Sequence, residues 1–408
     1  MKILVISHAH PDFSVGGAEI AAYNLFQALR KRTDLEAVTF LARTGQSNLS
    51  PGSIMLRREN EFLWRQDMSD WFRLGSANIR SMQSNLRDFL NIIKPDVVFI
   101  HHYAHIGIEL LRELRWILPK AEIFLTLHEY IAICNRNGQM VKNGSKRLCY
   151  RESIEECHAC FPQHSPEDFW LRKHYIQKHF EFVDGFVSPS QFLKDRYVAW
   201  GIPDEHLFVI ENGQNSVQSS LAYANPSYYN RFGFFGQITE YKGVEILLQA
   251  IHQIDRSTRS RLYFEVHGAN LELQGEWFQE IIKKLRDPLV AEGVLRWVGP
   301  YEPAELSRRM SKIGWVIVPS IWWENSPMVI QEAFVAGKPV ICSGLGGMGE
   351  KVRDGVDGLH FEARNALDLA EVLSRAGAAP ELHSKLQANI RNPLTYDECA
   401  ERYLALIT

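Results

Sequence analysis

The sequence predicts an α/β protein made of two Rossmann-like, doubly wound domains, and three observations carry that expectation. The chain has 408 residues, more than one hydrophobic core ordinarily serves, so two domains are the starting point. Its short β-branched runs are apolar throughout rather than alternating, as in strands buried on both faces of a parallel sheet. Those runs are separated by stretches of helical periodicity, the alternation that places helices on both sides of such a sheet.

In order, 2–7 reads as a strand, Gly16 and Gly17 fall in the loop after it, and 18–30 is a helix with Ala21, Leu25, Ala28 and Leu29 on one face. Ile79, Met82, Leu86, Phe89 and Ile93 share a second helix face, followed by a strand at 96–101. A helix over 110–118 precedes a strand over 122–127, and a strand at 185–188 precedes a helix starting at Gln191. After a strand at 207–210 the chain turns polar and loses its period, as linkers do. The alternation then restarts, with strands expected at 231–235, 262–267, 294–298, 315–319 and 339–342. The expected organisation is an N-terminal domain over 1–212, a linker over 213–230 and a second domain over 231–390. A final helix within 391–408 should cross back to the first domain. In such sheets ligands sit at the carboxyl ends of the strands, so an interdomain cleft is the expected site.

Composition narrows the function. With 46% hydrophobic and 23% charged residues the chain should pack well. A net charge of −3 and a pI near 6.6 give no basic face for nucleic acid. The N-terminal run MKILVISHAH meets histidines early and reads as a strand, not a signal peptide. No stretch approaches the roughly 18 apolar residues of a membrane helix. A cytoplasmic enzyme acting on small molecules is expected.

The stretch Trp322-Trp323-Glu324-Asn325-Ser326-Pro327-Met328-Val329-Ile330-Gln331-Glu332 places two carboxylates around the start of a helix. Pro327 suits the first helical position, where its missing N–H costs nothing. The N–H groups of Met328 and Val329 would then face phosphate oxygens. Taken alone, the two glutamates are better explained by a cap and a solvated first-turn acid. Their context includes Gly236-Gln237-Ile238-Thr239-Glu240-Tyr241-Lys242-Gly243 upstream and Gly344-Leu345-Gly346-Gly347 downstream. Further matches are Gly16-Gly17-Ala18-Glu19, Leu127-His128-Glu129-Tyr130, Ser188-Pro189-Ser190 and Asn212-Gly213.

In this order, along nearly the whole chain, these motifs resemble the retaining glycosyltransferases of family 4 (glycosyl transferases group 1), enzymes of the GT-B fold with two facing domains. The resemblance implies a nucleoside diphosphate sugar donor and a hydroxyl acceptor, a glycan or lipid-linked glycan, in cell-surface polysaccharide or glycoconjugate synthesis. It implies that Glu324 and His128 contact the donor sugar and Glu332 the ribose. Lys242, Gln237 and the helix start at Ser326, Pro327, Met328 and Val329 would hold the diphosphate, with Gly16 and Gly17 allowing close backbone approach. Gln237 stands where the family usually carries arginine, so it keeps a donor and loses the charge. No cofactor is implied for catalysis. The loop at Gly16 is not a G-x-G-x-x-G, which removes the main support for a nicotinamide enzyme. A nucleotide-sugar epimerase would need no acceptor, and a noncatalytic sugar-nucleotide scaffold would show no turnover.

Cys134, Cys149, Cys157 and Cys160 crowd a loop expected over 135–162. Four thiolates suit a structural zinc that would order so long a loop. Unligated thiols and a redox pair are the alternatives that the spacing leaves open. Two aromatic and basic stretches, 62–74 and 169–175, suit either packing or peripheral contact with the inner face of a membrane.

Overall fold

A computed structural model describes residues 1–14, 16–46, 48–215 and 228–408. Most of the expected linker, 216–227, lies outside the described residues. The chain divides into two compact units, Met1–Gly213 with Leu394–Thr408, and Gln214–Pro393.

In the first unit, β1 (Lys2–Ser7), β2 (Ala37–Thr44), β3 (Ile54–Arg58) and β4 (Glu61–Arg65) are followed by a separate ribbon of β5 (Met68–Asp70) and β6 (Gly75–Ser76). The sheet continues through β7 (Val97–His101), β8 (Glu122–Thr126), β9 (Gly185–Ser188) and β10 (Leu207–Val209). Its order is β10-β9-β8-β7-β1-β2-β4-β3, parallel except for the β3–β4 pair. The central strands are apolar because both faces are covered: Ile3, Val5, Val97 and Phe99 pack against Leu25, Phe26 and Leu29 of the helix Gly17–Arg30. The helix Tyr396–Leu404 closes the same face, with the Tyr403 ring edge-on to Phe99 and its hydroxyl 3.0 Å from Thr126 Oγ1. The helix face expected from Ile79 to Ile93 is interrupted by a π-helical stretch at Met82–Leu86.

The second unit holds β11 (Arg231–Gln237), β12 (Tyr263–Ala269), β13 (Leu295–Trp297), β14 (Trp315–Val318), β15 (Val340–Ser343) and β16 (Gly358–Phe361). All six are parallel, in the order β13-β12-β11-β14-β15-β16. Counted within the unit, this is the 3-2-1-4-5-6 order of dinucleotide-binding sheets, and the order reverses between β11 and β14. Aromatic side chains fill one face: Phe232 stacks on Phe264 at 5.0 Å and lies parallel to Trp315 at 6.4 Å.

Residues 62–65 form β4, with Leu63 and Trp64 buried, and Phe72 is buried as well, so this stretch is core. In the other aromatic stretch Phe169 is buried while Trp170 and Leu171 are about half exposed, at 52% and 50%. Among the described residues no helix is long and apolar enough to cross a membrane.

The cysteine loop is anchored by an arginine. Among the described residues no group of three or more His, Cys, Asp or Glu side chains is placed to hold a metal ion. None of Cys134, Cys149, Cys157 and Cys160 is in a disulfide, and burial pushes the Cys157 thiol up to about 12. The anchor is Arg172, from the helix Pro166–Phe180, which begins with a Ser165/Asp168 capping box. Its buried guanidinium donates to the carbonyls of Phe72 (2.7 Å), Ala132 (2.6 Å) and Ile131, fastening the segment that leads into the loop. His164 stacks on Phe72 at 3.8 Å from the loop's far end. Replacing Arg172 by Met strands three carbonyls, and urea denaturation should show a loss of about 3 kcal/mol or more. An unchanged midpoint and slope would remove Arg172 as the anchor.

Candidate functional site

Two loops meet at the carboxyl ends of β11 and β14, where the strand order reverses. The first runs from Gln237 through a 3-10 turn, Glu240–Lys242, to Gly243, which caps the helix Val244–Gln253 with φ +72°. A Cβ on Gly243 would stand 1.8 Å from the Pro319 carbonyl oxygen, so only glycine lets this turn lie against the end of β14. That contact brings Lys242 to the second loop. Its Nζ donates to Glu324 Oε1 at 2.6 Å.

The same oxygen accepts from Ser320 Oγ at 2.8 Å and Trp322 Nε1 at 2.9 Å. Glu324 is buried, which opposes its charge, but Lys242 and the other two donors outweigh that and hold the carboxyl below its ordinary value of 4.5. The backbone under it is tight. Gly347 N donates to the Glu324 carbonyl at 2.8 Å, and a Cβ there would meet the Asn325 carbonyl oxygen at 1.8 Å.

The helix Met328–Val335 starts one residue later than the sequence suggests: Pro327 is its N-cap, with extended ψ of 113°, rather than its first residue. A proline N–H is missing in either place, so the N–H groups of Met328 and Val329 still head the helix. Ser326 Oγ, just before it, is withdrawn from solvent with no hydrogen-bond partner. An orphaned hydroxyl beside a helix start fits a ligand oxygen. One turn in, burial pushes Glu332 up to about 7, and its charge in turn raises Tyr301, whose own burial is the larger cause. Gln237 ends β11 exposed, after Gly236.

The remaining expected residues belong to the first unit. Gly16 caps the helix Gly17–Arg30 and Gly17 is its first residue. His128 follows β8, its Nε2 3.1 Å from Nδ1 of His101. Burial, then the neighbouring histidines, drives His128 well below its ordinary value, and burial takes His101 to about 3, so both imidazoles are neutral near pH 7. Ser320, Trp322 and Tyr301 were not singled out in the sequence. Trp322 stands beside Glu324 in the motif, but nothing in a sequence tells an indole N–H aimed at a carboxylate from a packed ring.

The fold and this site define a GT-B glycosyltransferase. Residues 15–216 match the family profile "Glycosyltransferase Family 4" and residues 222–392 match "Glycosyl transferases group 1". The chain belongs to this glycosyltransferase group 1 / family 4 superfamily. It is 28% identical over 232 residues to the lipopolysaccharide 1,2-N-acetylglucosaminetransferase of Salmonella typhimurium, a match covering 53% of this chain. There the chain spans only 60% of the relative's length. A D-inositol 3-phosphate glycosyltransferase of Corynebacterium aurimucosum is 24% identical over 400 residues, 92% of this chain and 87% of the relative. Among solved structures, HepE of Anabaena in complex with UDP superposes with a TM-score of 0.67 at 16% identity, covering 100% of this chain and 99% of that one, a likeness of fold.

Two outcomes check the site. A double-mutant cycle of Lys242→Met and Glu324→Gln should show a coupling of about 1–3 kcal/mol in unfolding free energy, because Lys242→Met alone strands a buried carboxylate; additive effects would break the pair. Glu332 carries about 7 when folded and 4.5 when unfolded. The native state therefore binds more protons, and stability falls as pH rises from about 4.5 to 7, by at most ~3 kcal/mol. Glu332→Gln should flatten that fall; an unaltered profile would contradict the raised carboxyl.

Proposed function

We propose that the chain is a retaining glycosyltransferase that moves a sugar from a nucleoside diphosphate sugar to a hydroxyl of a glycan, lipid-linked or small-molecule acceptor, in polysaccharide or glycoconjugate synthesis. The observation that carries the reading is the Lys242–Glu324 pair at the switch point of a dinucleotide-type sheet, next to the orphaned Ser326 hydroxyl. The neighbour HepE, crystallised with UDP, supports a nucleotide-sugar donor.

On this reading the donor diphosphate takes Lys242 from Glu324, because two phosphates offer the ammonium more charge than one carboxylate. Ser326 Oγ and the N–H groups of Met328 and Val329 bind phosphate oxygens, and Gln237 adds an uncharged donor. Lys242 stabilises the charge that grows on the departing diphosphate. Glu324, released on one side, accepts sugar hydroxyls, and Glu332 accepts from the ribose. Neither Glu324 nor His128 is basic enough near pH 7 to be an efficient proton acceptor, which assigns both to binding. The acceptor proton then passes to the departing phosphate oxygen. As the bond from the anomeric carbon to that oxygen breaks, the bond to the acceptor forms on the same face, with retention.

The test is a thermal-shift screen against UDP, GDP, ADP and TDP and their sugar conjugates, since a ligand of the folded state raises apparent stability. One nucleotide should give a selective shift that Lys242→Ala reduces by an order of magnitude or more in affinity. Product NMR should then show the donor's anomeric configuration kept. The absence of any shift, or an inverted product, would overturn the corresponding part.

A further inference from the structure

The first sheet has a switch point of its own, between β1 and β7, and the loops that leave those strands carry an unusual set of side chains. His8 follows β1 and His102 follows β7, with ring centroids 4.8 Å apart. Each meets a carboxylate: His8 Nε2 is 3.5 Å from Glu19 Oε1, and His102 Nε2 is 3.0 Å from Glu129 Oε1. Glu19 also accepts from Ser14 Oγ at 2.7 Å. The His102 backbone is held at φ +81° and that of His105 at +64°. This left-handed conformation is costly for histidine and concentrates where a side chain must be presented in one place.

The hydrogen bonds settle much of the charge state. The N–H of Ala104 donates to His102 Nδ1 at 2.9 Å, which leaves the His102 proton on Nε2, towards Glu129. Burial opposes the charge on Glu19, but the hydrogen bond and charge of His8 and the Ser14 hydroxyl prevail, bringing that carboxyl down to about 2. Burial lowers His105 to about 4, so it is neutral near pH 7. Arg43, whose charge reaches His105, is spent on the Gln66 carbonyl at 2.8 Å and on Asp67 at 2.8 Å. Two polar atoms of the set are left over: His8 Nδ1 and Glu129 Oε2 are withdrawn from solvent and have no hydrogen-bond partner.

We propose that His8, Glu19, His102 and Glu129 form the acceptor-recognition site and select an uncharged polyol, rejecting a phosphate or carboxylate at the groups they touch. Carboxylates and lone-pair nitrogens accept from sugar hydroxyls, whereas a phosphate in the same place would lie against two carboxylates whose histidine partners are already engaged with them. In this the chain parts from its relative named for inositol 3-phosphate, an acceptor that carries a phosphate. The inference rests on the glycosyltransferase reading, but its residues belong to the first unit alone.

Saturation-transfer NMR on the full chain, with UDP present and absent, tests it using two probe pairs: myo-inositol with its 3-phosphate, and glucose with glucose 6-phosphate. The neutral member of at least one pair should bind roughly tenfold or more tightly than its phosphate. His102→Ala should lose most of that signal. Glu19→Gln, an isosteric change, should narrow the preference by raising affinity for the phosphate. Equal or tighter binding of both phosphates, no binding of either neutral probe, or a preference unmoved in both variants would overturn the proposal. UDP binding on the same samples reports separately on the second unit and confirms that each variant is folded. Failure to bind UDP alongside selective polyol binding would count against the donor reading and leave this one standing.

Discussion

A carboxylate withdrawn from water keeps its charge only if donors reach it, and in the second unit the loops after β11 and β14 are arranged round that need at Glu324. Three donors converge on a single oxygen, from Lys242, Ser320 and Trp322. The glycines nearby follow from it. Gly243 lets the Lys242 turn press against the strand end, and Gly347 lets the glycine-rich loop run beneath the glutamate backbone. Remove the carboxylate and there is no reason for these backbones to approach so closely. On the proposed reading the pair is also a placeholder: a cation already held by one anion can be passed to another without being exposed to water in between.

The second constraint is topological. In a parallel sheet every strand ends on the same edge, and where the order reverses the following loops diverge to opposite faces and leave a crevice. Both sheets reverse once about their first strand, β1 and β11. In one crevice the lining is a lysine, a bound glutamate, an orphaned serine hydroxyl and a helix start, a chemistry for phosphates. In the other it is imidazoles and carboxylates, a chemistry for hydroxyls. The same architecture thus carries two opposite electrostatic characters, set by a handful of loop residues.

Much of the fold was legible because strands covered on both faces leave an apolar run that periodicity cannot mistake for a solvent-facing strand. Lys2–Ser7 and Gly185–Ser188 are read to the residue. The 62–65 run was ambiguous because an apolar aromatic segment looks alike in a sheet and at a membrane. The Lys242–Glu324 contact spans 82 positions, beyond any spacing rule, and could be suspected only from the resemblance to family 4. Ser320 and Trp322 show no sequence signal of their own, and for the histidine–carboxylate array the sequence offers only histidines and glutamates after strand ends, since hydrogen-bond direction is a property of the folded backbone. For the cysteines, spacing says that four thiols are near in sequence but not how their sulfurs lie, and the buried Arg172 that holds the segment before the loop has no signal in the spacing.

The central claim is that Lys242 is exchanged between Glu324 and the donor diphosphate. A crystal structure of the full chain with UDP tests it most directly. The account predicts Lys242 Nζ within hydrogen-bond distance of a phosphate oxygen, the contact to Glu324 Oε1 broken, and Ser326 Oγ on the same diphosphate. UDP bound with Lys242 still on Glu324, or bound away from the carboxyl ends of β11 and β14, would contradict it.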